Sequence, residues 1–233
     1  MKKINVLDKG YTRLVDVMGD DDTITNAARV SFDKEADKYT DEQNKRLIDF
    51  LAREGHDSPF RHAVMQFEVY APMMITRQWE KYLIGSNNSE FGARNESSRR
   101  YITENEEFYI PQADEWRSKP EASIKQGSGE PIEDEEGNIL TKQLLAHVDR
   151  GVDLYERAMT KGVAPEQARL FLPAYGMYVR FRWTATLQTV AHLIRQRTAE
   201  GAQYEFRLYA EAIKELALEK FPISLGALLK EGE

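Results

Sequence analysis

The stretch MQFEVYAPMMITRQW, residues 65–79, sets the fold class of this chain. In its first half Met65, Phe67 and Val69 alternate with more polar residues, which is the period of a strand with one buried face. Pro72 then interrupts the alternation and suits the first turn of a helix. The same alternation returns in MYVRFRW, residues 177–183. Two such strands separated by helical segments predict an α+β fold, with helices packed on a mostly antiparallel sheet.

Helical spacing of apolar residues accounts for most of the rest of the chain. Two further strands are predicted around a Lys9-Gly10 turn, and helices are predicted to begin near Thr23, Asp41, Thr141, Pro165, Thr184 or Thr186, and Gln203. No repeat or change of composition marks a boundary, so residues 1–233 are predicted to form a single domain. Residues 118–138 are rich in Pro, Gly, Ser and acidic residues and are predicted to form a mobile surface excursion.

Composition excludes several classes of function. The chain carries 32 Lys and Arg against 39 Asp and Glu, a net charge of −7, which argues against a general nucleic-acid binder. It has no apolar run long enough to cross a bilayer, and no cysteine. Disulfides, thiolate metal sites and a cysteine nucleophile are therefore excluded, and a cytoplasmic location is expected. His56 and His62 share a loop, but no carboxylate pair completes a metal site, so no metal is predicted.

The segment RQWEKYLIGSNNSEFGARNESSRRY, residues 77–101, follows the predicted strand and has little to bury. Its adjacent arginines and serine hydroxyls suit a phosphate and a hydrogen-bonding ring, although a solvated polar loop is the common fate of such a composition. Ser97 and Ser98 lack a nucleophile elbow, so they are interpreted as ligand contacts. Arg169, Arg195 and Arg197 are candidate anion ligands, with a solvated surface role as the alternative.

Taken in chain order, several motifs resemble one family. They are NAARVSF (residues 26–32), GHDSPFRH (55–62), RQW (77–79), NESSRRY (95–101), ARLFLP (168–173), and Arg197 followed by AQYE (202–205). Together they are similar to flavin-dependent thymidylate synthases, and the resemblance extends over residues 4–221. It implies conversion of dUMP to dTMP, with methylenetetrahydrofolate as carbon donor, reduced FAD as hydride source and NADPH as reductant of the flavin. It also implies a homotetramer whose active sites lie between subunits.

The resemblance assigns roles residue by residue. Arg197 is implied as the catalytic residue, placed at the pyrimidine, where a fixed cation favours negative charge on the ring. The implied dUMP ligands are Gln78, Trp79, Lys81, Glu96, Ser97, Ser98, Arg99, Arg100, Arg169 and Arg197. The implied FAD ligands are Ser31, Ser58, Lys81, Tyr82, Arg94, Glu96, Thr186, Gln188 and His192.

The flavin side of the resemblance contains departures from the family pattern. Lys81-Tyr82-Leu83 replaces the family's Arg-His-Arg triplet, and an insertion near residues 87–93 precedes Asn95. Thr186, Gln188 and His192 stand where the family pattern has Asn, Arg and Asn. We expect Lys81 to act as a point charge, Tyr82 to stack on a flat ring, and Arg94 to restore a lost cation.

Three hypotheses follow from this pattern. The first is a divergent flavin-dependent thymidylate synthase. The second is a related enzyme that modifies C5 of a pyrimidine nucleotide differently, for example by hydroxymethylation, with altered or absent use of flavin. The third is a catalytically silent nucleotide-binding homologue. Product analysis separates the first two, and ligand binding without turnover indicates the third.

Overall fold

A computed structural model describes residues 2–30, 36–82, 94–97, 106–120 and 127–230. Its centre is a sheet of β1 (Lys3–Val6), β2 (Gly10–Met18), β3 (Val64–Pro72), β4 (Arg94–Glu96) and β5 (Tyr178–Thr186). The spatial order is β1-β2-β3-β5-β4, and each of these neighbouring pairs is antiparallel. The predicted antiparallel sheet is confirmed, and the two alternating stretches pair directly with each other as β3 and β5.

Eight α-helices lie within the described ranges: α1 (Asp21–Arg29), α2 (Asp41–Arg53), α3 (Met73–Trp79), α4 (Asp134–Thr160), α5 (Pro165–Ala168), α6 (Leu187–Thr198), α7 (Tyr204–Leu218) and α8 (Pro222–Leu229). Short 3₁₀ turns cover Ala36–Lys38, Ser58–Arg61, Ala113–Glu115, Arg169–Phe171 and Ala174–Gly176. None of these helices combines the length and the apolar character that a membrane span requires. The predicted α+β class is therefore confirmed.

The first helices begin slightly before their predicted caps. Asp20, rather than Thr23, caps α1: its carboxylate accepts from the main-chain N of Thr23 at 2.9 Å, while the Thr23 hydroxyl accepts from the main-chain N of Asp20 at 3.0 Å. Thr40 and Gln43 form the same reciprocal box at the start of α2, so the prediction of Asp41 as cap is also wrong. In both helices the cap and the third helical residue satisfy each other's main-chain donors.

Helix α4 begins at Asp134, seven residues before the predicted start at Thr141. Three acidic residues occupy its first turn, where the positive end of the helix dipole stabilises negative charge. Gly137, which looks like a helix breaker in sequence, allows close packing: a Cβ there would lie 2.0 Å from the main-chain oxygen of Ala113. The end of the predicted surface excursion, residues 134–138, is thus helical, whereas mobility of the rest stays a prediction.

The core confirms the periodicity of the sheet strands. Met65, Phe67 and Val69 are fully buried, and Phe67 stacks on Trp183 across the β3–β5 pair. Helix α8 was not predicted, because PISLGALL is apolar on all sides and lacks a helical period. The carboxylate of Asp21 accepts from the main-chain nitrogens of Ile223 and Ser224 at 3.0 and 2.8 Å, which ties the start of α8 to α1.

Candidate active site

Helix α6 is the element along which the predicted site residues lie. It follows directly from β5, and Thr186 caps it by accepting from the main-chain N of Thr189 at 3.3 Å. From Thr186 to Arg197 the helix rises about 16 Å. Gln188 and His192 are four residues apart and therefore project from the same face. One rigid helix thus carries predicted flavin ligands at its start and the predicted catalytic arginine at its end.

Arg197 is held between two aromatic rings and a hydroxyl group. Its Nε donates a hydrogen bond to the hydroxyl of Tyr82, and its guanidinium carbon lies 4.8 Å from the ring centre of Phe206. The distance to the Tyr82 ring is 5.4 Å, so the cation also contacts that ring. Within the described ranges no carboxylate pairs with Arg197, and its two terminal nitrogens have no partner. The arrangement fixes a guanidinium whose charge is not neutralised there.

Tyr82 connects Arg197 to the flavin-side residues. Its side chain is only 6% exposed, and its ring centre lies 5.7 Å from that of His192 and 6.1 Å from that of Phe206. Burial raises the pKa of Tyr82, and the positive charge of Arg197 offsets part of the rise. The hydroxyl is thus protonated at neutral pH and can donate its proton while it accepts from Arg197. The side chains of His192 and Phe206 cover this ring, which leaves little of its surface for a ligand. The expected stacking of Tyr82 on a flat ligand stays a prediction.

His192 is in the neutral form at physiological pH. Burial lowers its pKa below the ordinary value of 6.5, and the nearby charge of Arg195 lowers it further. A neutral imidazole has one donor nitrogen and one acceptor nitrogen, so it can either donate a hydrogen bond to a ligand or accept one from it.

Gln78 belongs to a second polar group at the start of α7. Its Nε2 donates to the main-chain oxygen of Met74 at 3.2 Å and to Oε1 of Gln203 at 2.5 Å. Gln203 in turn donates from Nε2 to Oε2 of Glu205 at 2.9 Å. Gln203 and Glu205 belong to the motif AQYE, but no role is predicted for them from the sequence. The signal in the sequence that could have indicated this contact is an amide, Gln203, two residues before a carboxylate, Glu205, at the start of a helix.

Trp79 lies behind these polar residues. Its side chain is 1% exposed and stacks on Phe206, with ring centres 5.2 Å apart. Phe206 therefore packs against Trp79 on one side and supports Arg197 on another. The indole belongs to the core, so only the main-chain atoms of Trp79 remain to contact a nucleotide.

The edge strand β4 brings together Arg94 and Glu96, both predicted site residues. Arg94 donates to Glu80 at 3.0 Å and to Glu96 at 2.6 Å, and its guanidinium carbon lies 4.4 Å from the ring centre of Phe181. Its Nε is buried and has no partner among the described residues. Ser97, which follows Glu96, continues the pairing of this edge: its main-chain N donates to the main-chain oxygen of Arg180 at 2.8 Å. Both terminal nitrogens of Arg94 are thus engaged by carboxylates.

A third group forms where α6 begins. Arg61 donates from Nε to Oε1 of the buried Gln188 at 2.6 Å, and exposed Ser58 opens the same 3₁₀ turn. The hydroxyl of Thr186 lies 3.1 Å from that of Thr189 at the helix cap. Arg61 belongs to the motif GHDSPFRH, but no function is predicted for it from the sequence. Its proximity to Gln188 depends on the packing of that turn on α6.

One predicted phosphate ligand, Arg169, is not brought together with Arg197 within the described residues. Arg169 lies on an exposed turn and donates from Nε to the main-chain oxygen of Glu166 at 3.2 Å. Around it Leu170, Phe171 and Tyr175 are exposed. Ser31, Ser98, Arg99 and Arg100 lie outside the described residues.

The donor set has the chemistry that an anionic, ring-bearing cofactor such as FAD needs. Lys81 is exposed, and no carboxylate pairs with it in the described part of the chain. Arg61 and the first turn of α6 add positive charge near Ser58. Cations and hydroxyl groups of this kind bind phosphate oxygens, so the residues present fit the cofactor.

Comparison with known proteins gives a consistent result. A family model described as thymidylate synthase complementing protein matches residues 13–223. The flavin-dependent thymidylate synthase of Thermus thermophilus is 40% identical over 96% of this chain and 77% of its own length. That of Thermotoga neapolitana is 36% identical over 98% of this chain and 94% of its own. The solved structure of the UMP/dUMP methylase PolB from Streptomyces cacaoi, bound with 5-Br dUMP, matches with a TM-score of 0.82 at 24% identity and covers 98% of each chain. The two share a fold.

Proposed function

Because the chain belongs to the family of flavin-dependent thymidylate synthases, we propose that it converts dUMP to dTMP. Its relatives of that name match nearly the whole length of this chain. Methylenetetrahydrofolate is the carbon donor in this proposal, reduced FAD the source of hydride, and NADPH the reductant of the flavin. The observation that carries the proposal is the guanidinium of Arg197, held by Tyr82 and Phe206 without a paired carboxylate among the described residues.

Arg197 is the proposed catalytic residue. Transfer of a carbon unit to C5 requires an electron-rich pyrimidine, and a cation beside the ring stabilises negative charge as it develops there. The hydrogen bond that Arg197 donates to Tyr82 and the two ring contacts hold the guanidinium before the substrate arrives. Little reorganisation is then needed in the transition state, which is where electrostatic catalysis gains its effect.

The proposed nucleotide site extends from Arg197 over two further regions. Arg100 and Arg169 bind the phosphate through charge-assisted hydrogen bonds. The remaining contacts come from Gln78, Trp79, Lys81, Glu96, Ser97, Ser98 and Arg99. Since Arg169 has no contact with Arg197 in the described part of one chain, we propose a homotetramer in which another copy completes each site. The exposed Leu170, Phe171 and Tyr175 beside Arg169 supply apolar surface for such a contact.

The proposed cofactor site lies along α6 and the β4 edge. Ser58, Thr186, Gln188 and His192 line the helix side, Lys81, Tyr82, Arg94 and Glu96 line the other, and Ser31 completes the set. Lys81 takes the role of a point charge, and Arg94 that of the second cation, with its terminal nitrogens held by Glu80 and Glu96. When bound, the reduced flavin supplies the hydride. The proposal includes one domain over residues 1–233 and a cytoplasmic location.

Product analysis tests the function directly. The purified protein is incubated anaerobically with dUMP, methylenetetrahydrofolate, FAD and NADPH, and the nucleotides are identified by chromatography and mass spectrometry. Formation of dTMP by wild type but not by Arg197→Ala is the expected result. A hydroxymethylated nucleotide as the sole product, or dUMP binding without any product, would contradict the proposal and favour a different C5 modification or a silent homologue.

A further inference from the structure

We propose that Gln203 and Glu205 are positioning residues that make Gln78 a pure hydrogen-bond acceptor towards the nucleotide. The four groups concerned, the main-chain oxygen of Met74 and the side chains of Gln78, Gln203 and Glu205, are named here the amide relay. The inference rests on the proposed function, in which Gln78 contacts dUMP. It adds a basis for recognition: the relay selects a donor group of the substrate.

The orientation of both amides follows from the two ends of the relay. The main-chain oxygen of Met74 and the carboxylate of Glu205 can only accept hydrogen bonds. Nε2 of Gln78 must therefore face Met74, and Nε2 of Gln203 must face Glu205, as observed at 3.2 and 2.9 Å. The central contact of 2.5 Å then joins Nε2 of Gln78 to Oε1 of Gln203.

Any other arrangement of the amide relay places like atoms together. Turning Gln78 alone sets its oxygen against the oxygens of Met74 and Gln203. Turning Gln203 alone opposes two nitrogens and two oxygens, and turning both opposes two oxygens at each end. The sulfur of Met74, 3.6 Å from Nε2 of Gln203, is a weak acceptor and favours the same orientation. The geometry thus determines which atom of each amide points where.

The remaining hydrogen-bonding capacity of Gln78 is then limited to acceptance. A glutamine amide carries two N–H groups, and both are used by Met74 and Gln203. Its Oε1 receives no hydrogen bond from the described residues. The adjacent Trp79 is locked in the core against Phe206, which follows Glu205, so the main chain on both sides of the relay is anchored. Gln78 therefore presents a fixed oxygen.

A fixed acceptor restricts which part of dUMP it can contact. Phosphate oxygens and the two ring carbonyls are acceptors and would face an oxygen unfavourably. The donors of this nucleotide are the ring N3–H and the sugar 3′-hydroxyl. The relay thus selects one of these two donors, and ligands that lack it lose the benefit of the fixed orientation.

Glu205→Gln tests the inference, because it preserves shape but replaces an obligatory acceptor by an amide that also donates. Affinities of wild type and variant are measured calorimetrically for dUMP, N3-methyl-dUMP and 2′,3′-dideoxyuridine monophosphate. We expect about a tenfold loss of dUMP affinity, as for a displaced hydrogen bond. We expect no further loss for the one analogue that lacks the contacted donor, which identifies that donor. Gln203→Met, which removes both amide groups at similar size, should behave alike.

Glu211→Gln on the same helix is the matched control, since it neutralises a surface carboxylate that pairs only loosely with Lys214 at 3.4 Å. It should leave all three affinities unchanged. Unchanged dUMP affinity in both relay variants, or an equal loss for all three ligands, would overturn the inference. Failure of wild type itself to bind dUMP would instead refute the proposed function on which the inference rests.

Discussion

Tyr82→Phe is the substitution that most directly tests how Arg197 is held. It removes a single oxygen atom and with it the hydrogen bond that Arg197 donates from Nε. The ring itself stays packed against His192 and Phe206, and the contact of the guanidinium with Phe206 at 4.8 Å is retained. The variant therefore separates the hydrogen bond from the packing.

The expected magnitude follows from the surroundings of that bond. A hydrogen bond to a charged group contributes about 1.5–3 kcal/mol. Arg197 is only partly buried, and water can replace some of the lost contact, so we expect a loss of about 1 kcal/mol in the free energy of unfolding. For a chain of this size, that loss lowers Tm by about 2–4 °C. Loosening of the guanidinium should lower kcat about 10- to 100-fold, because small displacements of a catalytic group are costly.

Single-turnover rates at saturating dUMP and thermal unfolding measure the two effects separately. Tyr11→Phe is the matched control, because the Tyr11 hydroxyl donates to a carboxylate oxygen of Glu68 at 2.9 Å, and neither residue belongs to the proposed site. It should lower Tm to a similar extent and leave kcat unchanged. If Tyr82→Phe loses stability but turns over at the wild-type rate, the hydrogen bond does not position Arg197 for catalysis.

Three further predictions concern single residues. Arg197→Ala should lower kcat about 10²- to 10³-fold, since it removes one electrostatic stabiliser, and should lower Tm at least as much as Tyr82→Phe, because it removes the same hydrogen bond; near-normal turnover would remove Arg197 from the mechanism. Arg169→Ala should weaken binding of dUMP much more than of deoxyuridine in calorimetric titrations, and equal losses would make this arginine structural. The third is a pH effect. The pKa of His192 is lowered from 6.5 in the folded chain, so at pH values between the lowered pKa and 6.5 the unfolded chain binds more protons than the folded chain. Its contribution to stability is complete above pH 6.5 and declines as the pH falls, so His192→Gln should flatten urea-unfolding stability in that window, and an unchanged slope would contradict this.

The sequence by itself determined the elements whose signal is local. Alternation in residues 65–70 and 177–183 predicted the two central strands, and the structure pairs them as β3 and β5. Where a local signal was missing, prediction failed: α8 is apolar on all sides, and β4 is a three-residue edge strand within a polar segment. The start of α4 was missed because its glycine serves close packing against a distant segment.

The candidate site divides in the same way. Motifs placed Gln78, Tyr82 and Arg197 on the chain, but their partners are set by packing across long separations. Gln203 meets Gln78 only because α7 lies against α3 after the chain has passed through β5 and α6. Arg61 likewise meets Gln188 through a turn packed on α6. Periodicity and caps depend on neighbours within a few residues, whereas the direction in which an amide or guanidinium points depends on side chains that only the folded structure brings within hydrogen-bonding distance.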